Sequence, residues 1–199
     1  MLPYLEALRD RLSIPMVYVS HQFDEVLRLA THIVLLDAGR VVAQGPADEV
    51  SLRPELRAIV GPDAVGAVLE GTIVGVDAAS RLAELRLGRG TLRINASGAE
   101  VGASVRVHLP ARDVILATEA PHALSVRNAI EGVIDDLLDD DDDARLVRVD
   151  IGGAFVLSRV TLAAVKELGL KQGTAVWVLI KAVSMRGHTF RGPARSPAS

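Results

Sequence analysis

Two hydrophobic patterns divide the chain near residue 60. Before it, continuous apolar runs at 16–19 and 33–36 alternate with segments in which apolar residues recur at helical spacing, such as Leu5, Leu8 and Leu12. Continuous apolar runs between helices are typical of strands buried in a parallel sheet. The first sixty residues therefore predict an α/β segment, with helices at 2–12, from 24 to about 30 and from 47, and strands at 16–19, 33–36 and 40–44.

From residue 65 the pattern changes to short β-type runs separated by turn residues. Runs at 66–76, 81–87, 91–94, 104–109 and 114–117 are divided by segments rich in Gly, Asp, Ser and Ala. Strands at this close spacing favour a small barrel or sandwich rather than a βαβ unit.

The second part of this β region repeats the first. Residues 129–134 match 68–73, residues 146–151 match 82–87, and residues 173–180 match 102–109. Two packed copies of one β unit are the simplest interpretation. The second copy has an insertion at 161–170 that predicts a short helix, which Thr161 caps and Gly169 ends.

Composition and charge exclude several classes of function. The net charge of −3 provides no broad basic surface, so we expect no nucleic-acid partner. The absence of cysteine excludes disulfides, zinc–thiolate sites and cysteine nucleophiles. No apolar run approaches the roughly 20 residues that cross a bilayer, and the N-terminus lacks a signal-peptide pattern. These observations predict a cytoplasmic protein without a membrane span.

Small or hydroxyl-bearing residues accompany a cation at the ends of two predicted strands. Ser125 and Arg127 form one such group, and Lys181 with Ala182 forms the other. Hydroxyls and backbone N–H groups donate to oxyanion oxygens, and a cation balances the charge. The start of the predicted helix at Thr161 is a third anion-friendly element. The residues alone leave open that these are ordinary strand-end cations in solvent.

Two further sets of charges have simpler interpretations. The five consecutive aspartates at 139–143 lack the Gly and Glu of a calcium-binding EF-hand loop, so we expect a solvated hairpin. Arg86, Arg93, Arg106 and Arg112 are expected on solvated strand faces.

The segment around His21 resembles the switch-histidine loop of ABC-transporter ATP-binding subunits. The resemblance is carried by Val17-Tyr18-Val19-Ser20-His21-Gln22-Phe23-Asp24-Glu25 and by the strand order that follows. It implies that His21 lies near the γ-phosphate of ATP in an intact ATPase. The chain has no G-x-x-x-x-G-K-[ST] phosphate loop, no family signature motif and no Walker B strand. We therefore expect no ATP hydrolysis from this polypeptide alone; ATP and Mg belong only to the intact family member.

The second β unit resembles the molybdate-binding Mop, or molbindin, domain. The matching segments are Ser125-Val126-Arg127-Asn128, Ile130-Glu131-Gly132, Val149-Asp150-Ile151-Gly152-Gly153, Val160-Thr161, Lys166-Glu167-Leu168-Gly169-Leu170 and Ile180-Lys181-Ala182. The resemblance implies an OB-like barrel that binds molybdate or tungstate, often between domains or subunits. It implies six oxyanion contacts: Ser125, Arg127, Asn128, Thr161, Lys181 and Ala182. Pro110 aligns with Lys181, so the first unit lacks the site and resembles a transport-associated OB (TOBE) half.

Together the resemblances indicate the C-terminal part of the ATP-binding subunit of a molybdate importer. The expected fold is mixed: an ABC α/β fragment at 1–60, a first OB-like (TOBE) half at 65–120, a Mop half at 124–187 and a disordered tail at 188–199. The implied function is regulatory binding of molybdate by a homodimer. With a membrane permease subunit, it would lie peripheral to the inner face of the membrane. The alternatives are an ATP-hydrolysing subunit that works with a missing N-terminal segment, or a molybdate storage or interaction protein.

Overall fold

Three β-sheets make up most of the described structure, two with five strands and one with two strands. The structure is a computed structural model. It describes residues 2, 4, 5, 8, 15–53, 55–61, 65–88, 90–95, 99–141, 143–182, 185 and 187–189. The helix predicted at 2–12 lies largely outside these residues. So does the predicted disordered tail, apart from positions 188 and 189, which form part of a strand.

The N-terminal segment is a small α/β layer. Its elements in chain order are α1 (Phe23–Leu29), β1 (His32–Asp37), β2 (Arg40–Pro46), α2 (Ala47–Val50) and α3 (Glu55–Val60). β1 and β2 form an antiparallel pair joined at Ala38 and Gly39, which both have positive φ. The predicted helix at 24–30 and strand at 33–36 are therefore confirmed.

The strand predicted at 16–19 is wrong in this structure. Residues 15–20 have no regular secondary structure, and Val17 and Val19 are 94% and 88% exposed. An apolar run becomes a strand only where neighbouring strands satisfy its backbone hydrogen bonds. None of the three described sheets includes this segment.

The first five-stranded sheet has the order β12-β6-β3-β4-β5. Its strands are β3 (Gly66–Asp77), β4 (Leu82–Leu87), β5 (Gly90–Asn95), β6 (Ser104–Pro110) and β12 (Gly187–Thr189). All of the pairings are antiparallel.

The second five-stranded sheet has the order β10-β9-β8-β11-β7. Its strands are β7 (Val114–Ala117), β8 (Asn128–Asp141), β9 (Ala144–Asp150), β10 (Phe155–Thr161) and β11 (Ala175–Ile180). The helix α4 (Leu162–Glu167) follows β10, as the insertion predicts, and the hydroxyl of Thr161 accepts the Ala164 N–H at 3.3 Å.

The two sheets confirm the internal repeat. The series β6-β3-β4-β5 has the same order of pairing as β11-β8-β9-β10. The repeated glycines explain the tight packing: a Cβ at Gly71 would lie 2.2 Å from the carbonyl oxygen of Arg86, and one at Gly132 would lie 2.6 Å from Cγ1 of Val149. The fifth strand of each sheet comes from the segment that follows the other repeat in the chain. β7 follows the first repeat but pairs with β11 of the second sheet, and β12 follows the second repeat but pairs with β6 of the first sheet.

One aliphatic core spans both large sheets, and a second core joins the N-terminal segment to them. The second core contains Phe23, Leu27, Ile33 and Leu56 together with Val68 of β3. Beside it, the fully buried hydroxyl of Ser51 donates to the carbonyl of Asp48 at 2.8 Å and accepts the Val68 N–H at 3.1 Å. The described N-terminal elements, α1 to α3 with β1 and β2, therefore pack directly on the first large sheet.

Arg106 corrects one expectation. It is only 3% exposed and bonds to Glu70 and to the carbonyls of Leu27 and Ala30. A solvated face is wrong for Arg106, because α1 covers this side of β6. Arg86, Arg93 and Arg112 are exposed, as expected.

The aspartate run corrects another. Residues 139–141 are part of β8, and Asp140 is 8% exposed. Its carboxylate lies 2.8 Å from Nε of Arg57 on α3 and 2.5 Å from Nε of Arg159 on β10. The prediction of a solvated loop is wrong for Asp140. Alternate residues of a strand face opposite sides of the sheet, and Asp140 lies on the side that α3 covers. The neighbouring Asp139 side chain is 94% exposed.

Candidate functional site

Two predicted oxyanion-binding segments meet at one end of the second sheet. Asn128, the first residue of β8, lies opposite Ile180, the last residue of β11. Arg127 precedes Asn128 and Lys181 follows Ile180, so each is the next residue beyond the last pair of these two strands. The side chains of Ser125, Arg127 and Lys181 are all exposed. Two cations next to the paired strand ends, and the hydroxyl of Ser125 further along the chain, are therefore accessible from solvent.

The charges suit a small dianion. Arg127 presents a planar fork of donors, and Lys181 presents a compact ammonium, so together they balance a charge of −2. Ala182 is 5% exposed, so its methyl group is covered and only its backbone can serve a ligand.

An open cavity of about 400 Å³ lies between Arg127 and the first sheet. Arg93, Asp77 and Glu84 also line it. The hydroxyl of Ser80, followed by backbone N–H groups, holds the pKa of Asp77 below its ordinary value. Asp77 is therefore ionised at neutral pH and repels an anion. Since Arg93 and Arg127 balance Asp77 and Glu84, this cavity carries no excess positive charge for a dianion.

Asn128 lies beneath this position rather than in solvent. It is 4% exposed, its Oδ1 accepts the Arg93 N–H at 2.7 Å, and its Nδ2 donates to the carbonyls of Arg93 at 2.9 Å and Ile180 at 3.3 Å. The amide therefore pairs with the backbone of β5 much as a strand residue would. In this structure Asn128 joins the first sheet to the start of β8, and both amide N–H directions are already used.

Thr161 lies at the other end of β8. It pairs with Ala144 of β9, and Ala144 in turn pairs with Asp141, the last residue of β8. Asn128 is the first residue of the same strand. A straight strand of 14 residues is roughly 40 Å long, and the bulges in β8 shorten this only in part. Within the sheet, Thr161 is therefore at the end of β8 opposite to the end that leads to Arg127.

His21 is exposed and precedes α1. Its loop is held by Glu25, whose carboxylate accepts from the Tyr18 hydroxyl at 2.7 Å and from the Ser20 hydroxyl at 3.0 Å. The hydrogen bond from Tyr18, followed by that from Ser20 and by the charge of His21, lowers the pKa of Glu25. The same bond to Glu25 raises the pKa of Tyr18.

Other site types find no support in the described part of the chain. No three His, Asp or Glu side chains among the described residues are grouped to hold a metal ion. None of the helices described here has the length and apolar character needed to cross a membrane.

The sequence analysis missed the charged pair between Glu70 and Arg106. These residues lie directly opposite each other on β3 and β6. In the second repeat, the corresponding Glu131 faces Trp177 instead. The sequence signal for this pair is that aligned positions of the two repeats carry opposite charges in the first repeat only.

Comparisons with known proteins show which sequences this chain is similar to. The family model of the TOBE domain matches residues 124–186. The molybdenum import ATP-binding protein ModC of Rhizobium etli is 41% identical over 186 residues, which are 94% of this chain and 52% of that protein. The protein of the same name from Methylococcus capsulatus is 42% identical over 185 residues, covering 92% of this chain and 52% of that protein. The chain thus spans about half the length of the curated relatives it matches.

A solved structure shows a similar arrangement of strands. The cytoplasmic molybdate-binding protein ModG, crystallised with molybdate bound, superposes with a TM-score of 0.54 and 26% sequence identity. The alignment covers 61% of this chain and 94% of the ModG chain. The mostly β architecture is therefore of the ModG and TOBE type.

Proposed function

Since the chain carries a TOBE domain and belongs with the C-terminal part of the molybdenum import ATP-binding proteins, we propose that it binds molybdate in the cytoplasm and regulates an importer. The observation that supports this most is the register of β8 and β11, in which Asn128 lies opposite Ile180, so that Arg127 and Lys181 are the next residues beyond the paired strand ends. The proposed regulatory unit consists of tandem OB-like halves, the first at 65–120 and the molybdate-binding half at 124–187.

The ligand in this proposal is a tetrahedral dianion, molybdate or tungstate. Arg127 and Lys181 balance its charge, while the Ser125 hydroxyl and the Ala182 backbone N–H donate to its oxygens. Asn128 supports the site from below, because its amide is bonded to β5 and β11. The cavity beside the first sheet is not the proposed ligand position, because Asp77 and Glu84 offset the charges of Arg93 and Arg127 there.

Isothermal titration calorimetry with molybdate, tungstate and sulfate tests this function. We expect binding of molybdate and tungstate, and a loss of affinity of at least about tenfold in each of Arg127→Gln and Lys181→Gln, since one charge-assisted hydrogen bond contributes about 1.5–3 kcal/mol. Arg86→Gln is the matched control, because Arg86 is an exposed strand arginine in the first repeat. Absence of heat with molybdate from folded wild-type protein would reject the proposal.

We further infer that the working unit is a homodimer. Thr161 lies at the opposite end of β8 from Arg127 in one copy, and a second copy would supply its own Thr161 to the site. A mixing experiment tests this directly. Thr161→Val and the double variant Arg127→Gln with Lys181→Gln should each bind weakly, and mixing the two should restore binding at up to half of the sites. Unaltered weak binding in the mixture, with dimers shown by sedimentation, would place each site within a single copy.

The N-terminal segment supports a second candidate function, that of an ATP-hydrolysing subunit completed by a further segment. Val17, Val19, Val34 and Leu36 are exposed on the α/β layer, with exposed fractions from 50% to 94%. In the proposal, residues 1–60 are the end of an ABC ATP-binding domain, His21 approaches the γ-phosphate of ATP–Mg, and the assembly docks with a permease at the inner membrane face.

Adding a polypeptide that carries the phosphate loop and Walker B strand of a relative tests the second candidate. We expect Mg-dependent ATP turnover that His21→Ala abolishes. ATP turnover that is unaffected by His21→Ala would show that His21 has no role in hydrolysis. A stable complex without any ATP turnover would reject this candidate function.

A further inference from the structure

The helix α1 is held at its C-terminal end by an arginine of the first sheet. Nη1 of Arg106 donates to the carbonyl of Leu27 at 2.8 Å and to the carbonyl of Ala30. Nε and Nη2 of the same guanidinium donate to Oε1 of Glu70, so the fork is fixed on both sides. The last carbonyls of a helix lack intrahelical partners and carry partial negative charge, which makes them acceptors for a cation.

The N-terminal turn of α1 holds the loop that carries His21. Glu25 accepts hydrogen bonds from the hydroxyls of Tyr18 and Ser20, on the chain immediately before His21. Phe23 packs edge-on against His108 of β6, with ring centroids 5.8 Å apart and an interplanar angle of 86°. The helix therefore contacts the His21 loop at one end and β6 along its side.

A helix as short as α1 depends on such contacts. Its seven residues span only about 10 Å, and helices of this length are not stable in water without tertiary packing. Its position therefore depends on the second core, in which Phe23 and Leu27 pack, and on Arg106 of β6, which bonds the carbonyls at its C-terminal end.

The oxyanion segment continues into the strand that lies against Arg106. After Lys181 and Ala182, the chain reaches the buried Met185, whose N–H donates to the carbonyl of Ala182 at 3.3 Å. It then forms β12, in which His188 is the backbone partner of Arg106 on β6. A short run of chain thus connects the proposed ligand position with the arginine that fixes α1.

We propose that Arg106 is a positioning residue that couples the oxyanion site to the His21 loop through α1. This inference rests on the proposed function for the identity of the ligand, whereas the contacts of Arg106, Glu70 and Glu25 are independent of it. Ligand held by Lys181 and Ala182 restrains the start of the segment leading to β12, and β12 steadies β6 and its arginine. The arginine then keeps α1 and the His21 loop in place.

Amide hydrogen exchange of the full chain, with and without molybdate, tests the coupling. In ligand-free protein, Arg106→Gln should accelerate exchange of residues 17–30 by at least about tenfold, since hydrogen bonds to charged groups contribute about 1.5–3 kcal/mol. Arg86→Gln should leave these residues unchanged. Molybdate should slow their exchange in the wild type and in Arg86→Gln, but not in Arg106→Gln.

A second variant keeps the test decisive if Arg106→Gln disturbs the fold. Glu25→Gln changes only the surface contacts with Tyr18 and Ser20, so it should accelerate exchange of 17–22 while the carbonyl contacts at 27 and 30 keep the end of α1 protected. Equal exchange of 17–30 in wild type and both variants would overturn the positioning role.

Calorimetry on the same samples separates the two proposals. Molybdate binding without any effect on the exchange of 17–30 would overturn the coupling and leave the proposed function standing. Absence of molybdate binding would reject the proposed ligand, while faster exchange in ligand-free Arg106→Gln would still establish Arg106 as the residue that positions α1.

Discussion

Replacing Asn128 by alanine tests whether this residue supports the oxyanion site or contacts the ligand. The substitution removes three hydrogen bonds of 2.7, 2.9 and 3.3 Å that join the start of β8 to β5 and β11. It leaves the N–H and carbonyl of Arg93, and the carbonyl of Ile180, without these partners. The methyl group of alanine also leaves a small gap at a position that is 4% exposed.

The expected loss of stability follows from these contacts. Each hydrogen bond contributes about 1 kcal/mol net, so three of them give a loss of about 3 kcal/mol in the free energy of unfolding. With a urea m-value of about 2 kcal/mol/M, the unfolding midpoint should fall by about 1.5 M. Molybdate affinity should fall as well, because Arg127 is the residue next to Asn128.

Urea denaturation followed by the fluorescence of Trp177 measures the midpoint, and calorimetry measures the affinity. Gln44→Ala is the control, since it removes an exposed amide and should change stability by less than about 0.5 kcal/mol. The reasoning is refuted if Asn128→Ala unfolds at the wild-type midpoint yet no longer binds molybdate, because Asn128 would then act as a ligand contact.

Three further substitutions examine other parts of the structure. Ser51→Ala should lower the free energy of unfolding by about 2 kcal/mol, since the Val68 N–H and the Asp48 carbonyl both lose their buried partner. The control Ser80→Ala, at an exposed position, should have a much smaller effect. Equal urea midpoints for the two variants would contradict the role of Ser51 in joining the two layers. Asp140→Asn should cost about 2–3 kcal/mol in the same assay, because two guanidinium groups lose the carboxylate charge between them, and a loss below 0.5 kcal/mol would show that water already screens this pair. Tyr18→Phe should raise the pKa of Glu25 in a carboxyl NMR titration, because the tyrosine hydrogen bond is the largest cause of its depression. Since the folded-state pKa of Glu25 is lowered, the linked stabilisation is present above its ordinary value of 4.5 and is lost as pH falls through the folded-state pKa; an unchanged titration in Tyr18→Phe would refute this.

The sequence predicted the β region well because its repeat and its turns are local features. Equivalent runs in the two repeats became equivalent strands, and the position of Thr161 before an apolar helical segment correctly indicated a cap. The strand at 16–19 failed because hydrophobicity alone does not supply strand neighbours, and Val17 and Val19 remain exposed.

The candidate site stays a prediction. The pairing of Asn128 with Ile180 brings together the strand ends that are followed by the two predicted cations. The burial of Asn128 could not be predicted, because it depends on how β5 of one repeat approaches β8 of the other. The sequence likewise predicted a solvated strand face for Arg106 and a solvated hairpin for Asp140, and only the packing of α1 and α3 determines that these side chains are covered.

Because each sheet takes an edge strand from the segment that follows the other repeat, the order of synthesis determines when each sheet can be completed. β6 lacks its outer neighbour until β12 has been synthesised. In the folded chain, Gly187 of β12 pairs with Val107 of β6. At about 5–20 residues per second, the ribosome leaves that edge open for several seconds, and an open edge invites pairing with another chain. A fragment cut at residue 124 also loses β7, and with it the partner of Ile180 on the outer side of β11. We therefore expect residues 124–186 expressed alone to aggregate, whereas residues 65–189 should form a monodisperse product.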